Sequence, residues 1–285
     1  TRLGTHLKKF FGNVPLSKIS TFDVERYKKQ RLQETAVRAR AKAVSKAASK
    51  LADKPVATTK PGTVNRELAA LSHLFNKAIE WGWIDRRPAL IRRLKEDRGR
   101  IVYLTVEQID RLIASAKLDE NPHVLAFVVI GLETAMRRSE ILSIRREHVD
   151  LDRLTLFIPK AKAGSREQPF TRRLAEFLRA YFATLAPDEQ WLFPSPASAT
   201  GHATDIRKGF RRAVSAAGLD PDQIVRHTLR HTAITHLVQA GVDLPTVKRI
   251  SGHKTLIMVE RYAHANGAHI RTAMDKLEER YRKAG

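Results

Sequence analysis

Residues 124–142 read Val-Leu-Ala-Phe-Val-Val-Ile-Gly-Leu-Glu-Thr-Ala-Met-Arg-Arg-Ser-Glu-Ile-Leu. From Val124 to Leu132 nearly every position is apolar, so a helix here has no solvent face and must be buried on all sides. It runs directly into Arg137 and Arg138. An arginine that emerges from a buried element is positioned by it. Glu140 lies three residues after Arg137, one helical turn away, where it can orient the guanidinium or His227. The stretch predicts a packed domain with a fixed cation at its centre.

On either side the pattern extends that domain. Thr105 with Gln108 forms a capping-box signature ahead of Ile109, Leu112 and Ile113. Leu154-Thr155-Leu156-Phe157-Ile158 reads as a short strand, Ala163-Gly164-Ser165 as a turn, and Arg166 to Phe170 as the returning strand. After that the chain reads as helical to its end, with breaks at Pro194-Ser195-Pro196, Gly218, Gly241 and Gly252. Upstream, Ser20 or Thr21 caps a helix through Phe22, Val24, Tyr27 and Leu32, with Asp23 and Glu25 at its positive end. Thr63 opens an amphipathic helix with Val64, Leu68, Leu71, Phe75 and Ala78 on one face, ended by Gly82 between Trp81 and Trp83. Residues 35–61 are a basic run with no apolar stripe, either a polar helix or a basic loop. Residues 92–100 are charged and lack periodicity, as a linker does. The expected organisation is a helical domain over 1–97, a linker over 98–103 and a second domain over 104–285 with a tail from 263.

Composition narrows the function. The 285 residues are 42% hydrophobic, enough for packed cores and one large or two small domains. With no cysteine there is no disulfide framework, thiol nucleophile or Cys-based zinc site. No apolar run approaches the roughly 20 residues that span a bilayer, and no signal core opens the chain. It reads as soluble and cytoplasmic, with no membrane partner. Lys plus Arg is 52 against 30 Asp plus Glu, a net charge of +22. Nucleic acid is the commonest polyanion for such a chain. Residues 1–97 hold 22 basic and 9 acidic residues and the remainder 30 and 21, so both domains are positive and both are expected on one polymer.

Four patches carry chemistry: Thr134-Ala135-Met136-Arg137-Arg138-Ser139-Glu140-Ile141-Leu142, Lys160-Ala161-Lys162-Ala163-Gly164, His227-Thr228-Leu229-Arg230-His231-Thr232, and Ser251-Gly252-His253 followed by Arg261-Tyr262. In this order they resemble the tyrosine recombinase (phage integrase) family, with Tyr262 nine residues after His253 and 32 after Arg230. Residues 16–33 and 63–88 also resemble that family's helical core-binding domain. The resemblance implies a mainly α (α+β) fold, a helical SAM-like core-binding domain followed by a mixed catalytic domain with a small antiparallel sheet.

The residue chemistry agrees with that resemblance. Phosphodiester cleavage by a side-chain oxygen needs a nucleophile, a proton acceptor, cations at the phosphate and an acid for the leaving oxygen. Tyr262 is the expected nucleophile. Arg137 and Arg230 clamp the non-bridging oxygens, since guanidinium stays charged and binds phosphate bidentately. His227 is expected to accept and return the tyrosine proton, and His253 to donate a hydrogen bond to the phosphate. The family pattern makes His231 a structural residue. It puts a lysine on the hairpin turn as acid for the 5′-oxygen, selecting Lys162, with Lys160 as the alternative. No cofactor or metal is implied.

Ala135 stands where the family has Gly, and Ser251 where it has Leu. The basic run 35–61 resembles an insertion. Thr1 falls within what resembles the first core-binding helix, as an amino-terminal truncation would leave it. The expected partners are double-stranded recombination sites and, in synapsis, three further copies. The free protein is expected as a monomer, with accessory DNA-bending or directionality proteins. The tail, with Ile270, Met274 and Leu277 on one stripe, is expected to dock on a neighbour. The basic run and Trp81-Gly82-Trp83-Ile84 point to a mobile-element or prophage integrase. Two rival readings are a type IB topoisomerase, which reseals the original strand, and a non-catalytic DNA-binding protein.

Overall fold

The structure is a computed structural model that describes residues 3–34, 58–97, 99–159, 164–263, 274–275, 278–279 and 281–282. The chain divides into two compact units, Thr1–Gly99 and Arg100–Gly285, each with its own apolar core.

In the first unit a short π-helical turn, Leu3–Leu7, leads into α1 (Lys8–Phe11). The cap of α2 (Thr21–Gln33) is Ser20. Its hydroxyl accepts from the Asp23 N–H, and the Asp23 carboxylate accepts from the Ser20 N–H, a reciprocal pairing that needs this three-residue spacing. α3 (Pro61–Glu80) starts two residues before the expected Thr63. Pro61 suits the first turn because the N–H it lacks would be unpaired there. Val64, Leu68, Leu71, Phe75 and Ala78 are all buried. Beside them Glu67 is buried too, and its carboxylate accepts from the Tyr27 hydroxyl (2.7 Å) and from Arg31 Nε and a terminal guanidinium nitrogen (2.9 and 2.8 Å). Residues 92–97, expected as linker, lie on α3. The Asn65 side chain exchanges hydrogen bonds of 2.9 and 2.8 Å with the Leu94 backbone, and Leu94 packs on the core. Residues 35–57 of the basic run lie outside the described residues.

The second unit starts with α4 (Val106–Lys117), capped by Thr105 and Gln108 as a capping box. α5 (His123–Thr134) is the buried helix read from the sequence, and α4, α9 (Arg226–Gln239), α7 (Arg172–Phe182) and α8 (Arg207–Ala216) pack around it. A Cβ on Gly131 would fall 3.0 Å from the Leu229 side chain, so this glycine lets α9 lie close on α5. After α6 (Arg138–Leu142) comes an antiparallel sheet in the order β1 (Val149–Asp150), β2 (Thr155–Ile158), β3 (Arg166–Pro169). Its register pairs Ile158 with Arg166 at the mouth of the hairpin. Residues 160–163, with both candidate lysines, lie outside the described residues, as does most of the tail. α10 (Leu244–Ser251) and α11 (Ile257–Glu260) close the described fold. The architecture is mainly helical with one small antiparallel sheet. Among the described residues no helix is long and apolar enough to cross a membrane.

Candidate active site

α5 ends at Ala135, which adopts the left-handed conformation (φ +53°) while buried. That reversal aims the Ala135 carbonyl at Arg230 of α9, whose guanidinium donates to it at 2.7 Å. Glycine reaches this conformation without cost, so the alanine in its place carries local strain. The next turn begins at Arg137. Glu140 accepts from the Arg137 N–H (3.0 Å) and from its guanidinium (2.8 Å), which fixes the arginine at both ends.

A second nitrogen of Arg137 donates to the Gly252 carbonyl at 2.8 Å. Gly252 has φ +63°, and a Cβ there would lie 2.7 Å from the Arg166 guanidinium carbon. Both its backbone and its surroundings therefore call for glycine. Arg166, read from the sequence only as a strand residue, donates to both Glu140 oxygens at 3.3 and 3.1 Å. Glu140 thus joins β3 to Arg137. Burial pushes its carboxyl up, but the hydrogen bonds from Arg166 and Arg137 prevail and hold it below the usual range.

Arg230 is buried, and its other terminal nitrogen meets His253 Nε2 at 3.1 Å. Burial, reinforced by Arg137, brings its pKa down to about 10. On the far side of His253, Nδ1 is 2.7 Å from the Ser251 hydroxyl, which is 2.6 Å from the Val247 carbonyl. The hydroxyl has one proton and gives it to the carbonyl, so it accepts from Nδ1–H. Nε2 is then the acceptor that Arg230 requires. Ser251, a departure from the family pattern, therefore fixes the His253 tautomer. Burial, Arg230 and Arg137 bring His253 down to about 4.

Tyr262 follows α11 and is buried, 2% exposed, in a cluster with Ala135, Ala233, Ile234, Val238, Val247 and Val259. Its hydroxyl is 2.6 Å from His231 Nδ1. The sequence reading assigns the proton-acceptor role to His227 and a structural part to His231; with the tyrosine buried, the ring in contact with its hydroxyl is His231. The two histidines are one turn apart on α9, and His231 is the one level with the hydroxyl. His227 meets His231 ring to edge, centroids 4.5 Å apart. Burial is the leading cause that lowers both imidazoles, His231 to about 4, so His231 is neutral, and its Nε2–H tautomer leaves Nδ1 free to accept from the tyrosine. Burial raises Tyr262, opposed by Arg230 and Arg261.

The structure thus brings together Arg137, Glu140, Arg230, His253, Tyr262, His231 and His227. Lys162 and Lys160 lie outside the described residues. Around Arg137, Arg166 and Arg230 the hydrogen-bonded carboxylate is Glu140, so cations exceed anions, as a phosphate site requires. Among the described residues no three His, Cys, Asp or Glu side chains are placed to hold a metal ion.

A helical unit followed by a helical unit with one hairpin carries a buried tyrosine beside paired arginines and histidines, an arrangement suited to chemistry at a phosphate. The chain belongs to the phage integrase family, whose model matches residues 102–269. It is 31% identical to the shufflon-specific DNA recombinase of Escherichia coli over 277 residues, 94% of this chain and 63% of that relative's length. It is 28% identical over 241 residues to the tyrosine recombinase XerD of Caulobacter vibrioides, covering 79% of this chain and 78% of the relative. The fold is similar to the Tn1549 transposon integrase solved with transposon right end DNA. There the TM-score is 0.70 at 20% identity, over 97% of this chain and 91% of that one.

Proposed function

We infer that this chain cleaves and rejoins strands of duplex DNA, with Tyr262 as nucleophile. The observation that carries the reading is the Tyr262 hydroxyl on His231 Nδ1 at 2.6 Å, in the same unit as the Arg230–His253 pair. Tyrosine is a weak nucleophile at neutral pH and needs a base and nearby positive charge. His231 is a neutral base in contact, and Arg230 and Arg261 are the positive charge.

The proton passes from the tyrosine to a histidine of α9 as the oxygen attacks phosphorus: His227 as the motif assigns it, or His231, which meets the hydroxyl in the buried state. A 3′-phosphotyrosyl bond forms and the bond to the 5′-oxygen breaks. Arg137 and Arg230 leave the Gly252 carbonyl and His253 for the non-bridging oxygens. Charge placed on these oxygens is worth several kcal/mol in the transition state, on the order of 3 per donor. Lys162, with Lys160 the alternative, gives the 5′-oxygen its proton. Rejoining reverses these steps from the 5′-hydroxyl of a partner strand, and bond energy is kept, so no nucleotide hydrolysis is needed. Tyr262 is buried, so the segment after α11 moves to present the hydroxyl to a duplex.

The setting we infer is integration or excision of a prophage or mobile element. The bacterial cytoplasm is the compartment, and four copies act on two sites. It is supported by the basic charge of both units and by relatives that include the shufflon recombinase and a phage integrase. The test is a supercoiled plasmid carrying two copies of the DNA that borders this protein's gene. Deletion or inversion between the copies is expected. Relaxation without exchange would give the chain the topoisomerase reaction instead.

A further inference from the structure

Asp205, in the loop before α8, is a half-exposed carboxylate with three arginines on it. Arg226 pairs with it, Arg207 lies 3.2 Å from Oδ2, and Arg138 lies 3.8 Å from Oδ1. Three guanidiniums share one negative charge, which leaves two positive charges in excess. Each guanidinium carries five donors, and a carboxylate offers two oxygens, so most of these donors are left for another acceptor.

The placement of these side chains repeats that of the inferred catalytic pair. Arg138 follows Arg137 directly, and Arg226 is the first residue of α9, one turn before Arg230 and next to His227. Each of the two elements that point an arginine at the central site thus carries a second arginine into the Asp205 cluster. One helical turn, about 5.4 Å, separates the two levels on α9. The first turn of α9 adds its own partial positive charge. Exposed ion pairs contribute little to stability, and three cations on one carboxylate repel one another, so fold stability does not account for the cluster. Burial and the charges of Arg138 and Arg207 push Arg226 below its ordinary value, as expected where cations are crowded.

We propose that Arg138, Arg207 and Arg226 form a second phosphate site, which takes a backbone phosphate of the duplex beside the one that Arg137 and Arg230 hold. Asp205 gathers the three side chains in the free protein and competes with the DNA for them. The site rests on the strand-transfer reading for the position of the first phosphate, but its test needs only binding.

The experiment is a fluorescence-anisotropy titration with a labelled random-sequence duplex, repeated between about 50 and 200 mM salt. It compares wild type, Arg207→Gln, the pair Arg207→Gln with Arg226→Gln, and Asp205→Asn. The paired variant is expected to reduce the slope of log K against log salt by about one, the loss of one phosphate contact. Asp205→Asn is expected to bind more tightly than wild type with no loss of slope. Arg207→Gln alone, whose side chain is too exposed to hold the fold, is expected to weaken binding in the same direction. A wild-type slope in the paired variant, at an unchanged melting temperature, overturns the proposal. Absence of salt-dependent binding by the wild type overturns the DNA reading itself, a different result.

Discussion

The hydroxyl of Tyr262 lies 2.6 Å from Nδ1 of His231, the tyrosine buried and the imidazole partly buried in one unit. In the buried state the tyrosine hydroxyl already has a histidine partner on α9, and presenting it to a duplex requires the side chain to move. His231→Ala is expected to slow single-turnover cleavage by on the order of 100-fold, the lower range for general base catalysis. It should also remove the rise of rate with pH. A His227→Ala variant with that loss beside a normal His231→Ala would return the acceptor role to His227.

Ser251 acts on the site through His253. Without its hydroxyl, Nδ1 has no acceptor and the tautomer that meets Arg230 is no longer enforced. Ser251→Ala is expected to cost about one hydrogen bond, roughly 1 kcal/mol or fivefold in cleavage rate. Single-turnover cleavage rates of the two proteins at neutral pH check this.

Much of this site was legible in the sequence, and what was missed has a physical reason. The apolar run 124–132 and the paired strands announce themselves by pattern, and the ordered motifs mark Arg137, Arg230, His253 and Tyr262. Spacing alone does not say which of two histidines one turn apart faces the tyrosine, because that depends on how α9 is rotated against α11. Arg166 looked like an ordinary strand residue, and only its register opposite Ile158 brings it to Glu140. The charge on 92–97 suggested a linker, although Asn65 is met there by the Leu94 backbone, which carries no sequence signal, as well as by the Glu96 carboxylate. The Asp205 cluster joins residues from three separate segments of the chain, which no local pattern reveals.

Ala135 holds a left-handed conformation that favours glycine. Ala135→Gly is expected to stabilise the second unit by about 1 kcal/mol, the strain a Cβ feels in that region. Denaturant unfolding followed by fluorescence measures the change. A destabilised variant would mean that the methyl group's burial outweighs the strain.

The buried carboxylate of Glu67 is satisfied by Tyr27 and Arg31. Removing it strands a buried cation, so Glu67→Ala is expected to cost about 3–5 kcal/mol in the first unit. The readout is the thermal unfolding of the full chain, in which the transition of that unit should move down alone.

Acid should destabilise the second unit. His231 and His253 titrate at about 4 when folded, below the ordinary 6.5, so the unfolded chain binds more protons between these values. Their contribution is complete above pH 6.5 and is lost as pH falls towards 4. Glu140, held below its usual range, acts in the same direction. Melting temperature recorded from pH 7.5 to 4.5 should fall steadily. A level curve would contradict the half-buried, neutral state of the two imidazoles.

The central measurement is a covalent trap. Wild type and Tyr262→Phe are each mixed with duplex fragments from both sides of the protein's own gene, denatured, and separated to find protein still attached to DNA. An adduct that forms with wild type and is missing with Tyr262→Phe is the expected result, and sequencing its ends gives the cleavage site. An adduct of equal yield in both proteins would contradict the assignment of Tyr262 as the nucleophile.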